Sequence, residues 1–416
     1  MRLTAAFSRL LRLDGIWVRA VRFEAGRIVV EVALRRQHLV CPECGYRAGG
    51  RFDTRPVDST WRHLDFGVWR LEIRARLRRL WCPIHGARTE AVPFARAGSD
   101  FTRDFEALVA WLATRTDKST ITRLVRISWR TVGRIVQRVS DDELDPDRLD
   151  ELFEIGVDEV SWASEHRYLT LVCDHHRRRI VWGAAGRDST TADLFFAALG
   201  PERCEQIETI TLDMGPGYAK SARSHAPQAV IAIDPFHVAK AGSEALDEVR
   251  REYWNKLRDL GDQDAARRFK GARWALMKNP TNLNDKQAIT LRRLRAAGGE
   301  VWRAYTLKEA LRAIFAPGLS VDDVEILIDR FISRARRSRL PSFVKLAATI
   351  TKHRDGIVAA VRLGATNARA EALNNKVRLI VRRAYGFHSP DAALALIMLS
   401  CGPVNLHLPH ELHPHS

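Results

Sequence analysis

The feature that most restricts this chain is the order of its strand-like runs between residues 154 and 233. Three come in succession, Glu154–Val160, Tyr168–Cys173 and Arg179–Ala184. A helical stretch, Thr190–Leu199, ends at Gly200 and leads to a fourth run, Ile207–Leu212. A Gly-Pro-Gly turn then opens a short helix before the fifth run, Ala229–Ile233. Upstream, Gly15–Leu34 alternates apolar and polar residues between turn signals at Asp14-Gly15 and Ala25-Gly26, which predicts a β-hairpin. Val68–Cys82 alternates more strictly and reads as one strand. Trp69, Leu71, Ile73, Ala75 and Leu77 take one face, and Arg70, Arg74, Arg76 and Arg78 take the other. Such a strand is half buried, and its cationic outer surface fits either a solvated sheet edge or contact with a nucleic-acid backbone. Downstream, Phe236 to about Leu363 is helical and rich in charge, with Trp254, Trp274 and Trp302 expected as packing anchors. A last helix starts near Asn367 and is stopped by Gly386.

Two aspartates sit at matching places in this order. Asp158 lies in the first run, Gly156-Val-Asp-Glu-Val160, and Asp213 closes the fourth, Thr209-Ile-Thr-Leu-Asp213. Three strands, a helix, a strand, a helix and a strand is the order expected of a ribonuclease-H-like sheet, where the first and fourth strands are adjacent and paired. Carboxylates converging there can hold two divalent ions ~3.5–4 Å apart, magnesium or manganese, for in-line displacement at phosphorus. A third carboxylate is needed on a helix packed across the sheet. Glu371 is the candidate, since Asn375, Arg378 and Arg382 continue its polar face while Ala370, Leu373, Val377 and Ile380 face the sheet. Asp174, Glu159 and Asp188 read as turn or rim residues.

Cys41-Pro-Glu-Cys44 and Cys82-Pro-Ile-His85 are knuckles of identical spacing, each followed by glycine. An x-x gap lets both side chains of one tight turn reach the same ion, and four protein ligands close a tetrahedron, so a structural zinc is expected. The remaining cysteines, Cys173, Cys204 and Cys401, read as ordinary core. From Asp104 to Val139 the apolar period is helical. Phe105, Leu108, Val109 and Leu112 form a first stripe, Ser119–Val125 a second short helix, and Trp129–Val139 a third with Val132, Ile135, Val136 and Val139 inward. Ser128 suits the N-cap of the third helix. This is the spacing of a helix-turn-helix, whose outward Arg130, Thr131, Arg134, Gln137 and Arg138 can meet phosphates or base edges. The acidic stretch Asp141–Glu151 reads as a linker.

The zinc knuckles, the helix-turn-helix, Gly156-Val-Asp-Glu-Val-Ser-Trp162, Ile231-Ala-Ile-Asp-Pro-Phe-His-Val238 and Thr366-Asn-Ala-Arg-Ala-Glu-Ala-Leu-Asn-Asn-Lys-Val-Arg378 together resemble the ISL-three family of bacterial insertion-sequence transposases. The resemblance runs in order from about Cys41 to Leu399. It implies a DDE transposase with a ribonuclease-H-like core interrupted by a helical insertion, acting on terminal inverted repeats. Asp234 competes with Asp213 as the second catalytic acid. The segment Asp234-Pro-Phe-His237 resembles a site that recurs in DDE proteins with helical insertions, which gives Asp234 and His237 a supporting role and Asp213 the metal.

The fold class expected is multidomain α/β: a zinc-binding β-rich head at 1–95, a helix-turn-helix domain at 96–145, a ribonuclease-H-like mixed sheet at 150–235, an all-α insertion at 236–363, and the last part of the core at 364–405. Lysine plus arginine number 67 against 50 acidic residues, a formal net charge of +17, which favours double-stranded DNA, both inverted repeats and target, as partner. Concerted cutting of two ends implies a homodimer or larger assembly on DNA. Met1–Leu13 lacks a continuous apolar run and no stretch reaches the ~18 apolar residues of a membrane helix. A cytoplasmic, nucleoid-associated protein with no membrane partner is therefore expected. Two rival readings stay open here, a ribonuclease-H-like nuclease without joining activity and a catalytically silent DNA-binding regulator.

Overall fold

The computed structural model describes residues 2–35, 38–163, 167–364 and 368–412. The chain forms two compact units, Met1–Asp145 with Ile380–Ser416, and Pro146–Leu379.

The first unit opens with helix α1 (Leu3–Leu11) and the expected hairpin, β1 (Ile16–Glu24) and β2 (Arg27–Leu34). Short strands β3 (Leu39–Val40), β4 (Arg47–Ala48) and β5 (Asp53–Thr54) follow, then β6 (Ser59–Phe66), β7 (Trp69–Ala75), β8 (Arg78–Cys82) and β9 (Gly86–Thr89). One sheet runs β1-β2-β7-β6, with β2 and β7 parallel, and a smaller one runs β5-β8-β9. The stretch read as a single strand, Val68–Cys82, therefore divides at Arg76-Leu77 between two sheets. Its alternation survives the break because Leu77 stays buried, so the pattern alone cannot show that the pairing partner changes. Ile28, Val30, Leu71, Ile73, Trp61 and Phe94 build the core between the larger sheet and its flanks. Each such aliphatic side chain contributes roughly 1.5–3 kcal/mol by leaving water.

Three helices follow: α2 (Arg103–Arg115), α3 (Lys118–Val125) and α4 (Trp129–Glu143). Each is capped by a side-chain oxygen at its N-terminus: Thr102 accepts from the Phe105 N–H, Asp117 from Thr120 and Ser128 from Thr131. Arg126, left-handed at φ 57°, ends α3 and sets the turn. Val132, Ile135, Val136 and Val139 are buried as the helical period requires. Helix α4 continues to Glu143, into the stretch read as a linker. Asp142 and Glu143 hold it there by pairing with buried Arg96, an interaction the local acidity does not reveal.

The second unit carries β10 (Glu154–Ala163), β11 (Arg167–Asp174), β12 (Arg179–Ala185), α5 (Ser189–Leu199), α6 (Pro201–Cys204), β13 (Thr209–Leu212), α7 (Pro216–His225) and β14 (Val230–Ile233). The sheet order is β12-β11-β10-β13-β14. The first three strands pair antiparallel, and β10, β13 and β14 pair parallel. On one face Val157, Val172, Ile210 and Leu212 pack against Phe195 and Phe196 of α5 and Tyr218 of α7. Gly156 in β10 has no room for a side chain: a Cβ there would sit 2.7 Å from His175 Nε2 and 2.8 Å from Cys173 Sγ. Of the other two cysteines read as core, Cys204 and Cys401 are buried.

Helices α8 (Pro235–Asp259), α9 (Gln263–Lys270), α10 (Arg273–Met277), α11 (Asp285–Ala297), α12 (Gly299–Ala313), α13 (Val321–Arg336), α14 (Pro341–Lys352) and α15 (Arg354–Arg362) share one core, in which Leu246, Phe331 and Phe343 are prominent. Trp254 and Trp302 pack against it, as expected. Trp274 does not: it is 58% exposed, because the short α10 turns Ala275 and Leu276 inward instead. Helix α15 lies on β14, where Gly356 brings the backbones close enough that a Cβ would be 3.2 Å from the Ile231 carbonyl.

Helix α16 (Ala368–Arg383) ends where Tyr385 and Gly386 both take positive φ. The expected start near Asn367 lies outside the described residues. Helix α17 (Pro390–Cys401) packs on α4 in the first unit. The stretch 364–405, expected to complete the sheet core, thus divides between the two units. The reason is that α17 is apolar nearly all round, burying Ala393, Ala395, Leu396, Ile397, Met398 and Leu399, and needs cover on several sides. Among the described residues, no helix is long and apolar enough to cross a membrane.

Candidate functional site

In the parallel pairing of β10 with β13, Gly156 is opposite Thr211. Asp158 lies two residues past that pair on β10, and Asp213 two residues past it, just beyond the end of β13. The next pairing sets Leu212 opposite Ile233, so Asp234 follows at the adjoining strand end. The Asp213 carboxylate is steadied by the Gly215 N–H at 2.8 Å. Asp234 accepts from the Phe236 N–H at 2.8 Å and caps α8. His237, in the first turn of α8, places Nε2 3.7 Å from Asp158 Oδ1 and 3.8 Å from Asp234 Oδ2. His237 thus bridges Asp158 and Asp234, and the Asp213 charge is felt at Glu159, the residue after Asp158.

Glu159 is not at a rim. Burial raises its carboxyl above the ordinary range, and the nearby Asp213 charge raises it further, against a lowering hydrogen bond from Tyr218. The Thr170 hydroxyl donates to the Gly186 carbonyl at 2.9 Å and lies 2.8 Å from the Tyr218 hydroxyl, tying α7 to β11 beneath this acid. Sequence periodicity missed both Glu159 and Tyr218, because their meeting depends on how α7 docks. Asp174 and Asp188 are turn residues as expected: the first accepts from the His176 and Arg177 N–H groups, and the second caps α5. His353, at the junction of α14 and α15, lies near Asp213, its pKa lowered chiefly by burial.

Helix α16 brings Val377 and Arg378 to the cleft at Asp158. Val377 and Ile380 are buried, and Arg378 joins Asp158, Glu159, Val160 and Leu171 around one small cleft. The Arg378 guanidinium also lies over the Phe236 ring at 5.9 Å. Glu371 falls on the same helix two turns earlier, ~10.5 Å along its axis. Its side chain lies outside the described residues. Arg382 is exposed.

In the head, Cys41, Cys44, Cys82 and His85 present ligand atoms that all lie within 4.8 Å of one another. Cys44 Sγ is 3.5 Å from Cys82 Sγ, and His85 Nδ1 is 3.6 Å from Cys82 Sγ and 3.7 Å from Cys41 Sγ. The other ring nitrogen of His85 is 3.4 Å from the Glu43 carboxylate, which Arg88 holds at 2.5 Å. A carboxylate on the far nitrogen fixes the ring so that Nδ1 can bind an ion. Glu43 was visible between the two cysteines, but its partner lies on the other knuckle.

The cationic positions sort into two groups. Among the described residues Arg70 and Arg74 have no acidic partner, whereas Arg76 pairs with Asp58 and Arg78 grips buried Glu90 through two nitrogens. On α4, Arg130 and Arg134 are exposed and Thr131 is half-buried. Gln137 bonds Asp141 at 3.0 Å. Arg138, expected outward, turns to the fully buried Glu106.

A helix-turn-helix joined to a mixed sheet with acids at adjacent strand ends is the build of a DNA-processing protein. Residues 155–397 match the DDE family model described as a transposase, and residues 90–140 match the helix-turn-helix domain of transposase family ISL3. The chain is 40% identical over 398 residues to the transposase for insertion sequence element IS1557 of Mycobacterium tuberculosis, covering 91% of this chain and 89% of that protein. It is 29% identical over 365 residues to the transposase for insertion sequence element IS1001 of Bordetella parapertussis, covering 85% and 86%. The chain belongs to the ISL3 family of insertion-sequence transposases.

Proposed function

We propose that this transposase binds the terminal inverted repeats of its element and catalyses metal-dependent strand cleavage and strand transfer on a ribonuclease-H-like core. The reading rests on the β10–β13 register, which supports Asp158 and Asp213 as neighbours on one face. With Glu371 from α16, they would hold two divalent ions, magnesium or manganese. When bound, such ions lower the pKa of an attacking water or 3′-hydroxyl and stabilise the leaving 3′-oxygen. The donor set fits: hard carboxylate oxygens suit these cations. His237 orients Asp158 and Asp234 from one ring nitrogen, and Arg378 meets the scissile phosphate beside Asp158. Asp234 takes the supporting role, capping α8 and facing His237.

Cys41, Cys44, Cys82 and His85 would hold a structural zinc. The sulfur spacing of 3.5 Å is close to the ~3.8 Å edge of a tetrahedron built on Zn–S bonds of about 2.3 Å. Arg130, Thr131 and Arg134 are the α4 residues that face the repeat. Arg70, Arg74 and Arg382 extend the phosphate contacts, while Arg76, Arg78, Gln137 and Arg138 serve mainly as structural partners. Two ends require a homodimer or larger assembly on DNA, and the setting is the bacterial cytoplasm.

The test is nicking of a labelled duplex carrying the element's end. Asp158→Asn is expected to lower the rate at least about 100-fold while leaving duplex affinity unchanged, since it removes one carboxylate charge from the ions. Retained nicking in a folded Asp158→Asn protein would contradict the assignment.

A further inference from the structure

The hairpin of β6 and β7 has features that neither the zinc cluster nor the helix-turn-helix explains. Phe66 pairs with Trp69, so the connection is the two-residue loop Gly67-Val68. Gly67 has φ +62° at the first loop position, where a type II′ hairpin turn demands glycine. The tip is apolar and open: Val68 is 79% exposed, Phe66 51% and Trp69 39%. Single exposed apolar residues are ordinary, but three within the four residues of a hairpin tip suit a contact surface.

This tip is fastened to the turn of the helix-turn-helix. Arg126, the left-handed residue that ends α3, pairs with Asp65 and donates to the Val68 carbonyl at 3.2 Å. Arg62 pairs with the same Asp65 at 2.6 Å and donates to the Val125 carbonyl at 3.3 Å. Two arginines thus clamp one aspartate between the hairpin and the last turn of α3. The clamp lies two residues before Ser128, the N-cap of α4. The tip is therefore held beside the end of α4 that approaches base edges in a helix-turn-helix.

We infer that the β6–β7 hairpin is a wing, and that its Val68 tip enters the minor groove of duplex DNA next to the major-groove segment met by α4. This rests on the DNA-binding reading above and adds a second element to it. Charge selects the occupant. Asp65 is neutralised by its two arginines and Glu72 by Arg27, while Arg70, Arg123, Arg130 and Arg134 are exposed around the tip and along α4. A polyanion fits such a rim. Apolar side chains of this size serve as minor-groove wedges, which partly unstack a base step.

The experiment compares the wild type with Val68→Asp, Val68→Ser and Arg134→Ala on a duplex carrying the element's end, by equilibrium binding and hydroxyl-radical footprinting. Val68→Asp is expected to weaken binding about tenfold or more and to erase a minor-groove patch of protection flanking the α4 footprint. Val68→Ser should do the same to a smaller degree, with melting temperatures unchanged in both. Arg134→Ala should weaken binding and lose protection within the α4 footprint while the flanking patch persists. If Arg134→Ala weakens binding but both Val68 variants bind and protect like the wild type, the wing is overturned and the helix-turn-helix reading stands. A Val68→Asp protein that changes oligomeric state with an intact footprint makes the tip a protein contact and also overturns it. If the wild type protects no end DNA, both readings fall together.

Discussion

Glu106 illustrates what a single buried charge does in this protein. It sits in the first turn of α2, fully buried, and meets Arg96 at 3.2 Å, Ser99 at 2.7 Å and Arg138. Arg96 in turn reaches Asp142 and Glu143 at the end of α4. Removing one partner of a buried pair leaves the other uncompensated. Glu106→Ala should therefore destabilise the first unit by about 3–5 kcal/mol, measured by chemical denaturation. A loss below about 1 kcal/mol would show that the network is incidental. The residue was not legible in advance. The apolar stripe through Phe105, Val109 and Leu112 announces α2 and its inner face, but says nothing of a carboxylate sharing that face with arginines 10 and 32 positions away. The same blindness made Arg138 look like a DNA contact.

At the scale of elements, the sequence shows local chemistry wherever the partners are near one another along the chain. The knuckle spacing, the Ser128 cap and the hairpin at Gly26 each concern a few neighbouring residues, and each is present in the fold. Elements defined by distant partners were not legible: the split of Val68–Cys82 between two sheets, the parallel seam of β2 with β7, and the return of α17 to α4. The proposed zinc head allows a test at this scale. Its own apolar cluster is small, essentially Leu39, Cys41, Leu80 and Cys82, so a bound ion would supply much of what holds the β3, β8 and β9 region together. Cys41→Ser, or chelation of the wild type, should release about one zinc per chain and make the backbone of this region exchange amide hydrogens faster. The helices of the second unit should be unaffected. Unchanged exchange in the head after full loss of metal would rule out the structural role.

For the whole molecule, the strand order from Glu154 to Ile233 was visible in the sequence because each run is short, apolar and separated by clear turn signals. It also carried the pairing that matters, since neighbours in a parallel sheet share register and hence face. Asp213 and Asp234 look alike in the sequence because both follow adjacent strands; in the fold Asp234 caps α8 and faces His237, whereas Asp213 lies near Glu159 and His353. The central claim is that Asp158 and Asp213 bind the catalytic ions directly. The most direct measurement replaces each in turn by cysteine and compares strand transfer of a pre-cut end in magnesium and in manganese. A thiolate binds manganese better than magnesium, so both variants should be inactive with magnesium and recover at least about tenfold with manganese, whereas Asp234→Cys should show no such selective recovery. Recovery in Asp234→Cys with none in Asp213→Cys would contradict the assignment.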